Sequence, residues 1–386
     1  MACISLGKID KNFIPIFTGC IFCFLNRLLH QYDGALLFKN PIMMNICISS
    51  SKFFAFIPYF IHKIIDNHAF ISHNKIANDN ERTKSSSKVK YLYSDESKQF
   101  FKGKWKYLFL SSIIFLFNQL LFVLTIQVRS NTTILNILIT SLFYYLIFKT
   151  KLYKHHYLSI FLIILIGFII DIILGNLQHD LNNDLILLFL RILREIVYSL
   201  SSVFDKYIMV KKFCSVYEIL LTDGVINTIL FILFAVLDYN FFEFDNYEEY
   251  FNNFDNIELL VIFGELITQL GLNLFILSAN EKNTPCHVFI IFIFGQLAYY
   301  IDFTGINLIV IFCLILILLL SLIFNEIIEI NFLGLSYNTK RNISQRAENE
   351  DNKITLIDIE DSLLDENNIK EKEVMNGETE LSEIYS

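Results

Sequence analysis

The chain has 386 residues, of which 54% are hydrophobic and 18% charged, and its formal net charge is −8. A soluble domain of this composition would expose more apolar surface than stays in solution. The mean hydropathy of +0.49 indicates instead a protein of the lipid bilayer, and no feature of the composition predicts a nucleic-acid partner.

Hydropathy predicts ten spans, and several of these apolar segments are long enough to cross the ~30 Å hydrocarbon core of a bilayer as helices. The predicted spans are residues 13–31, 42–64, 105–126, 132–149, 156–175, 185–206, 217–238, 257–278, 286–301 and 305–324. The loop 66–104 is long and polar, and its run Thr83–Lys90 has the composition of a disordered segment. The predicted fold class is an all-α membrane protein, with residues 1–12 and the tail 325–386 in the cytosol and the distal tail disordered.

Lysine and arginine residues concentrate in alternate connections between the spans. The loop 66–104 carries eight of them, whereas the connection 175–184 and the acidic connection 238–258 carry none. Because cytosolic loops of membrane proteins are enriched in Lys and Arg, this bias predicts that both termini lie in the cytosol.

The spans divide into two sets of five, residues 13–175 and 185–324. An odd number of spans in each half would make the halves inverted relative to each other. Leu25-Asn26-Arg27 at the end of the first span echoes Phe204-Asp205-Lys206 at the end of the sixth, although matches this short also arise by chance. Inverted repeats place a substrate site near the bilayer midplane, between the halves.

The sixth span carries five charges, Arg191, Arg194, Glu195, Asp205 and Lys206, on an apolar background. A charge at the bilayer centre costs roughly 2.5–3.5 kcal/mol on insertion scales, so it persists where it faces a partner or a water-filled pathway. Arg191 and Glu195 are spaced i,i+4 and can pair with each other. Arg194 has no acid at i±3 or i±4 and needs an acid from another helix or an anionic ligand.

Tyr198 and Ser202 continue the stripe of the sixth helix that carries Glu195. Glu265 of the eighth span is the predicted partner of Arg194, because both lie about nine residues, or ~13 Å, into spans that run in the same direction. Gln269 and Asn273 extend the polar face of Glu265. A fixed interhelical salt bridge and a place in a solute pathway are equally open interpretations of Arg194.

Lys52 lies in the middle of the second span and also needs an acid, for which Glu195 or Glu265 could serve. Asp223 of the seventh span lies nearer the cytosolic side and is either a pathway residue or an interface acid. We include both Lys52 and Asp223 in the predicted pathway.

The fourth and ninth spans are short and begin with polar residues, Asn131-Thr132-Thr133 and Thr284-Pro285. Such starts fit half-helices whose N-termini favour anions, and they fit ordinary helix capping equally well. Thr133 and Asn136 of the fourth span and Gln296 of the ninth complete the predicted substrate pathway.

Signals for catalysis or cofactor binding are weak. His179 and Asp184 form an H-x4-D pair in a short connection with no supporting motif, and the sequence has no Walker, HExxH or GxSxG motif. Cys20 and Cys23 form C-x-x-C inside a predicted span, which is typical of small apolar helix residues. We expect no enzyme activity, no cofactor and no metal, and any transport would be secondary or exchange-driven.

Several short motifs resemble the drug/metabolite transporter superfamily, and within it the nucleotide-sugar-transporter-like branch (solute carrier family 35-like, EamA-like), over roughly residues 13–345. The motifs are Thr18-Gly19 to Arg27, Arg194-Glu195 through Asp205-Lys206-Tyr207, Tyr217-Glu218 to Asp223-Gly224, and Phe324-Asn325-Glu326-Ile327-Ile328. The resemblance implies ten spans in two inverted repeats and a carrier of nucleotide sugars or related metabolites in an endomembrane. The chain departs from the pattern at the fourth span, where Thr132-Thr133-Ile134 stands in place of an Arg-Gly pair.

The predicted function is therefore secondary transport or exchange of a small polar, anionic organic solute. Arg194 and Lys52 would supply positive charge, and Glu195, Glu265 and Asp223 would balance it or relay protons. The partners would be the lipid bilayer and a polar metabolite, with a homodimer left open. The alternative is a multi-pass membrane protein that does not transport and acts through its cytosolic loop and tail.

Overall fold

The computed structural model describes residues 4–6, 11–30, 36–61, 86–125, 132–174, 185–241, 245, 247–252, 254–300 and 308–330, which are mostly helical and divide into two units. In the smaller unit, the strands β1 (Ile4–Leu6) and β2 (Ile328–Ile330) pair antiparallel, with Ser5 opposite Glu329. The larger unit runs from Lys8 to Ile327 and contains the described helices.

The helices of the larger unit follow one another in chain order. They are α1 (Ile14–His30), α2 (Leu36–Lys39), α3 (Pro41–Phe53), α4 (Ser86–Leu124), α5 (Leu135–Phe148), α6 (Lys154–Ile173), α7 (Leu185–Lys212), α8 (Val216–Phe241), α9 (Tyr247–Asn252), α10 (Asn256–Lys282), α11 (Val288–Tyr300) and α12 (Leu308–Phe324). Short 3-10 turns at Lys11–Phe13, Thr132–Ile134 and Pro285–His287 lead into α1, α5 and α11. After a turn at 54–55 that ends α3, the chain is helical again at 56–61.

Five helical segments are long and apolar enough to cross a membrane: Pro41–Ile61, Gly103–Leu124, Lys154–Ile173, Val216–Asn240 and Asn256–Lys282. Shorter apolar helices cover Ile14–His30, Thr132–Phe148, Pro285–Leu297 and Leu308–Phe324. Large apolar side chains such as Phe161, Phe168 and Phe312 lie on the outside of the larger unit, where water would be a poor solvent for them. The protein is therefore an all-α integral membrane protein.

Each of the ten predicted spans coincides with a helix of the larger unit over most of its length. One prediction is wrong: the run Thr83–Lys90 is helical from Ser86 onward, because α4 extends well before the apolar part of the third span. The Lys, Glu and Gln residues of this extension have high helix propensity, which the prediction of disorder underweighted. The rest of the predicted disorder, residues 66–85 and the distal tail, lies outside the described residues.

Contacts between helices of the larger unit follow a regular pattern. α1 packs against α10 and α11, and α7 packs against α4 and α5. α3 contacts α8 and α10, while α8 also contacts α4. α6 packs against α12. These contacts place α1, α3, α4, α7, α8 and α10 around a shared interior.

The backbones of α3 and α8 approach each other closely at Gly224. A Cβ atom on Gly224 of α8 would lie 2.5 Å from the backbone nitrogen of Phe53 and 2.9 Å from the carbonyl carbon of Lys52. Small residues allow helices in membranes to approach this closely. Gly224 therefore allows α3 and α8 to lie close enough for Lys52 of α3 to contact Asp223, the residue that precedes Gly224.

The N-terminus of α3 is capped from a distant part of the chain. The carboxylate Oδ2 of Asp245 accepts hydrogen bonds of 3.0 Å from the backbone N–H groups of both Ile42 and Met43. Asn40, the residue at the cap position itself, makes no side-chain cap bond. An acid at a helix N-terminus satisfies otherwise unpaired N–H groups and interacts favourably with the helix dipole.

Candidate functional site

A cavity of about 240 Å³ lies among α1, α3, α4, α7, α8, α10 and α11. We call it the central cavity. Its lining combines apolar residues with an unusual number of polar ones for a membrane protein interior, where such residues mark functional sites. The polar lining residues are Asn26, Arg27, His30, Lys52, Asn118, Gln119, Arg194, Tyr198, Ser201, Ser202, Asp205, Asp223, Gln269, Asn273 and Asn280.

The central cavity brings together seven of the residues that the sequence predicted for the pathway. They are Lys52, Arg194, Tyr198, Ser202, Asp223, Gln269 and Asn273. They come from α3, α7, α8 and α10, so residues far apart in the sequence converge on one space.

Lys52 and Asp223 form a buried ion pair at one side of the cavity. The Lys52 Nζ lies 3.1 Å from Asp223 Oδ2 and 3.1 Å from the centroid of the Phe115 ring. The hydroxyl of Ser112 donates a 2.7 Å hydrogen bond to Asp223 Oδ1. The prediction that Glu195 or Glu265 would neutralise Lys52 is therefore wrong. Because α3 packs against α8, the acid that contacts Lys52 is Asp223 of α8.

Asp205 and Lys206 occupy different environments although they are neighbours on α7. Asp205 lines the cavity and accepts a 2.6 Å hydrogen bond from Ser111 of α4. The Lys206 ammonium instead donates to the carbonyl oxygens of Asn280, Glu281 and Asn283 at 2.8, 2.6 and 2.7 Å. Lys206 thus caps the C-terminal end of α10, where unpaired carbonyls and the helix dipole favour a cation.

Arg194 has no acidic partner in the part of the chain that the structure describes. Its Nε is buried without a hydrogen-bond partner, and its guanidinium carbon lies 4.6 Å from the centroid of the Phe122 ring. A cation over an aromatic face gains some electrostatic stabilisation, but less than a paired carboxylate supplies. A buried guanidinium that faces a cavity in this state is suited to receive an anion.

The predicted pair of Arg194 and Glu265 is not formed. The Glu265 carboxylate accepts hydrogen bonds from Asn26 at 2.9 Å and Gln269 at 2.8 Å, and it lies 3.3 Å from the His30 ring nitrogen. Arg194 and Glu265 lie at similar depths in their own spans. However, α1 packs along α10, and its residues Asn26 and His30 contact the Glu265 carboxylate.

A second polar cluster joins α7 to the start of α5. The Arg191 Nε lies 4.0 Å from Glu195 Oε1, which confirms the predicted i,i+4 pair, and donates to the Thr132 hydroxyl at 3.3 Å. Thr132 and Asn136 donate to the Glu195 carboxylate at 3.5 and 3.4 Å. Glu195 thus faces the start of the fourth predicted span, away from the lining of the central cavity.

Two further predicted residues do not line the cavity. Thr133 is half-buried in the turn before α5, and Gln296 is half-buried in α11. Thr133 and Gln296 are therefore like Glu195, Asn136 and Glu265 in that they do not line the central cavity.

Sequence reasoning missed the contribution of α1, which supplies Asn26, Arg27 and His30 to the wall. The signal was present, since Leu25-Asn26-Arg27 echoes Phe204-Asp205-Lys206 of the sixth span and Asp205 also lines the cavity. Asn118 was obscured by the general abundance of Asn in the chain. Asn118 Oδ1 is buried with no hydrogen-bond partner within the described residues, as is the Nδ2 atom of the predicted residue Asn273.

One cluster has the residue types of a metal site. The Nε2 atoms of His155 and His156 lie 3.4 and 3.9 Å from Glu326 Oε1, at the junction of α6 and the end of α12. However, His156 Nδ1 accepts a 3.0 Å hydrogen bond from the Tyr153 backbone N–H. A neutral His156 therefore carries its proton on Nε2, and that nitrogen cannot bind a metal while this bond persists.

A larger groove of about 800 Å³ lies between α3, α8 and α9. Met43, Ile232, Tyr239 and Phe251 form much of its wall, and its one charged residue is Glu248. Because convergent polar groups are what fix and orient a polar ligand, the smaller central cavity is the better candidate site.

No family model matches the chain, and no curated protein matches it either. Family membership therefore assigns no role to the residues of the central cavity.

Proposed function

We propose that the chain is a secondary transporter or exchanger of a small polar, anionic organic solute across an intracellular membrane. The observation that carries the proposal is Arg194, a half-buried cation that makes no ion pair among the described residues and lines the central cavity, with its Nε buried and without a hydrogen-bond partner. The Phe122 ring and the electrostatic interaction with Glu195 offset part of its desolvation. An anionic solute in the cavity would compensate the rest.

We further propose ten spans in two inverted halves, with α1, α3, α4, α5 and α6 in the first and α7, α8, α10, α11 and α12 in the second. The most extensive helix contacts support this division, because they are preserved when each helix is exchanged for its counterpart. The contacts of α1 with α10 and α11 correspond to those of α7 with α4 and α5, and α3 with α10 corresponds to α8 with α4. The exchange replaces α3 by α8 and α6 by α12, so it leaves the contacts α3–α8 and α6–α12 unchanged.

Polar contacts across the two proposed halves surround the cavity. Lys52 to Asp223, Ser111 to Asp205, and Asn26 to Glu265 each join a helix of one half to a helix of the other. Rocking of one half against the other would break and remake such contacts around a fixed site, as alternating access requires. The chain has no ATP-binding motif, so a solute or ion gradient would drive the cycle.

Both termini would lie in the cytosol, as the distribution of Lys and Arg predicts. The sequence resemblance to nucleotide-sugar-transporter-like carriers supports an endomembrane location and a metabolite as the solute. A shared fold class does not select the solute, so the chemistry of the cavity has to do so.

The test is exchange by the purified protein in liposomes loaded with a mixture of labelled organic anions. We expect the wild type to exchange at least one anion, and Arg194→Gln, at equal protein density, to lose most of that exchange. Phe161→Leu, a change at an exposed apolar position of α6 outside the cavity, is the matched control and should exchange as the wild type does.

Two outcomes would contradict the proposal. If Arg194→Gln exchanges as fast as the wild type, Arg194 has no role in the pathway. If the wild type exchanges none of the anions although it is monodisperse and folded, the protein is not a transporter of this class, and the alternative of a non-transporting membrane protein is favoured.

A further inference from the structure

Two arginines line the central cavity from different helices. Arg27 lies in the last turn of α1, and Arg194 lies on α7. Within the described residues, neither guanidinium makes a hydrogen bond or an ion pair with a carboxylate, although Glu195, the residue next to Arg194, offsets part of its charge. Two like charges held close together in a membrane interior repel each other and are each poorly solvated.

The other ionisable groups at the cavity already have polar partners. Asp223 neutralises Lys52, and the Ser111 hydroxyl donates to Asp205. His30 lies against Glu265, a carboxylate that also accepts from two side-chain amides. Arg27 and Arg194 are therefore the cationic residues of the lining that make no ion pair among the described residues.

Further unused donors lie on the same wall. The Arg194 Nε and the Asn273 Nδ2 are both buried and without a hydrogen-bond partner among the described residues. Guanidinium groups bind carboxylates and phosphates through paired N–H donors, which gives these contacts both strength and geometric specificity.

We propose that the solute is a compact dianion, with its two negative charges shared between Arg27 and Arg194. This inference rests on the proposed function and specifies its substrate. A dicarboxylate and a phosphate monoester share the required chemistry. The cavity volume of about 240 Å³ favours a metabolite of a few carbon atoms, because it lies below the range of about 300–1,000 Å³ that is usual for drug-sized ligands.

The experiment measures binding to the full-length purified protein by calorimetry, with two series of probes that differ in charge. The first series is succinate, succinamate and succinamide, which carry two, one and no negative charges. The second is glycerol 3-phosphate, its methyl phosphodiester and glycerol, which carry two, one and no negative charges at pH 8. We expect the dianion of at least one series to bind the wild type ~10-fold or more tightly than its monoanion, as a hydrogen bond to a charged group contributes enough for such a ratio.

Arg27→Gln should reduce that preference to less than about threefold, while Arg27→Lys, which retains the charge but loses the paired donors, should have an intermediate preference. Lys154→Gln, which removes an exposed cation at the start of α6, should leave the preference unchanged. Circular dichroism and gel filtration test whether each variant is folded. If Arg27→Gln does not fold, the ratios of dianion to monoanion affinity of the wild type and Arg27→Lys test the inference instead.

The series that shows the preference identifies the source of the charge, dicarboxylate or phosphate ester. Equal affinity for dianion and monoanion in both series would overturn the inference, as would a full preference that survives in folded Arg27→Gln. In either case, exchange of any anion in liposomes would leave the proposed transport standing. Conversely, a dianion preference in a protein that exchanges nothing would contradict transport while the charge specificity of the site survives.

Discussion

The Lys52 ammonium and the Asp223 carboxylate meet at 3.1 Å, and both side chains are 4% exposed. The pair joins α3 to α8 and closes one side of the central cavity. A buried pair of this kind contributes little relative to apolar residues of the same shape, because desolvation offsets attraction. Removing one member of the pair is destabilising, since the remaining charge is then buried without a partner.

We predict a strong asymmetry between single and double substitutions of this pair. Lys52→Met should destabilise the protein by ~3–5 kcal/mol, because it leaves Asp223 ionised and without its cation. The double variant Lys52→Met with Asp223→Leu should recover most of this loss. Thermal unfolding in detergent measures all variants, and strictly additive effects of the two changes would show that the residues are not coupled in the folded protein.

Gly224, next to Asp223, provides a second prediction on the same helix contact. Gly224→Ala should destabilise the protein by ~1–3 kcal/mol, because the added methyl group would meet the backbone of α3 and would force the helices apart. Gly103→Ala is the matched control, since a Cβ at Gly103 would meet no atom within 4 Å. Equal unfolding temperatures for the two variants would contradict the close approach of α3 and α8.

The sequence predicted local relationships better than relationships between helices. Arg191 and Glu195 pair as expected because both lie on one helix, where a spacing of four residues determines that they are neighbours. Arg194 and Glu265 do not pair, although their depths agree, because depth does not determine which helices are adjacent. The contact of α1 with α10, which gives Glu265 its partners Asn26 and His30, leaves no periodic signal in the sequence.

The same reason explains what was missed in the site. Arg27 lies near the end of a span, where a basic residue is common for topological reasons and attracts no attention. Its significance appears only when α1 and α7 are found to line one cavity. Charges in the middle of a span, such as Lys52 and Arg194, were identifiable from the sequence because their burial there always requires an explanation.

Lys206 should contribute to stability as a helix cap and not through the cavity. Its ammonium donates to the carbonyl oxygens of Asn280, Glu281 and Asn283 at the end of α10. Lys206→Met should lower the free energy of unfolding by ~2–3 kcal/mol, as three carbonyls at the end of α10 lose a charged donor that is itself buried. Lys211→Met, at an exposed position one turn later, should change it by less than ~0.5 kcal/mol.

Equal effects of Lys206→Met and Lys211→Met on the unfolding temperature would show that the carbonyl contacts of Lys206 do not stabilise the folded protein. A second readout separates capping from a role in binding. The ratio of dianion to monoanion affinity should be the same in Lys206→Met as in the wild type, because Lys206 does not line the central cavity.

Asp245 should make stability depend on pH through its contact with α3. Burial raises the pKa of Asp245 to about 6, against the opposing effect of the N–H donors of Met43 and Ile42, and nearby Asp238 raises it further. The folded state therefore binds this proton more tightly than the unfolded state, in which an Asp has a pKa of ~3.9. The stability contributed by this proton is fully present below about pH 4 and is lost as the pH rises through about 6.

The measurement is the unfolding temperature of the wild type and Asp245→Asn between pH 4.5 and 7.5. We expect the wild type to lose more stability than the variant as the pH rises across this interval, because Asn does not titrate but still offers an oxygen to the N–H groups of Ile42 and Met43. Asp245→Ala should lower stability at every pH by a further ~1 kcal/mol, since it removes the cap as well as the charge. Parallel pH profiles for the wild type and Asp245→Asn would show that the proton of Asp245 is bound equally in the folded and unfolded states, which would contradict the burial of this carboxyl against the end of α3.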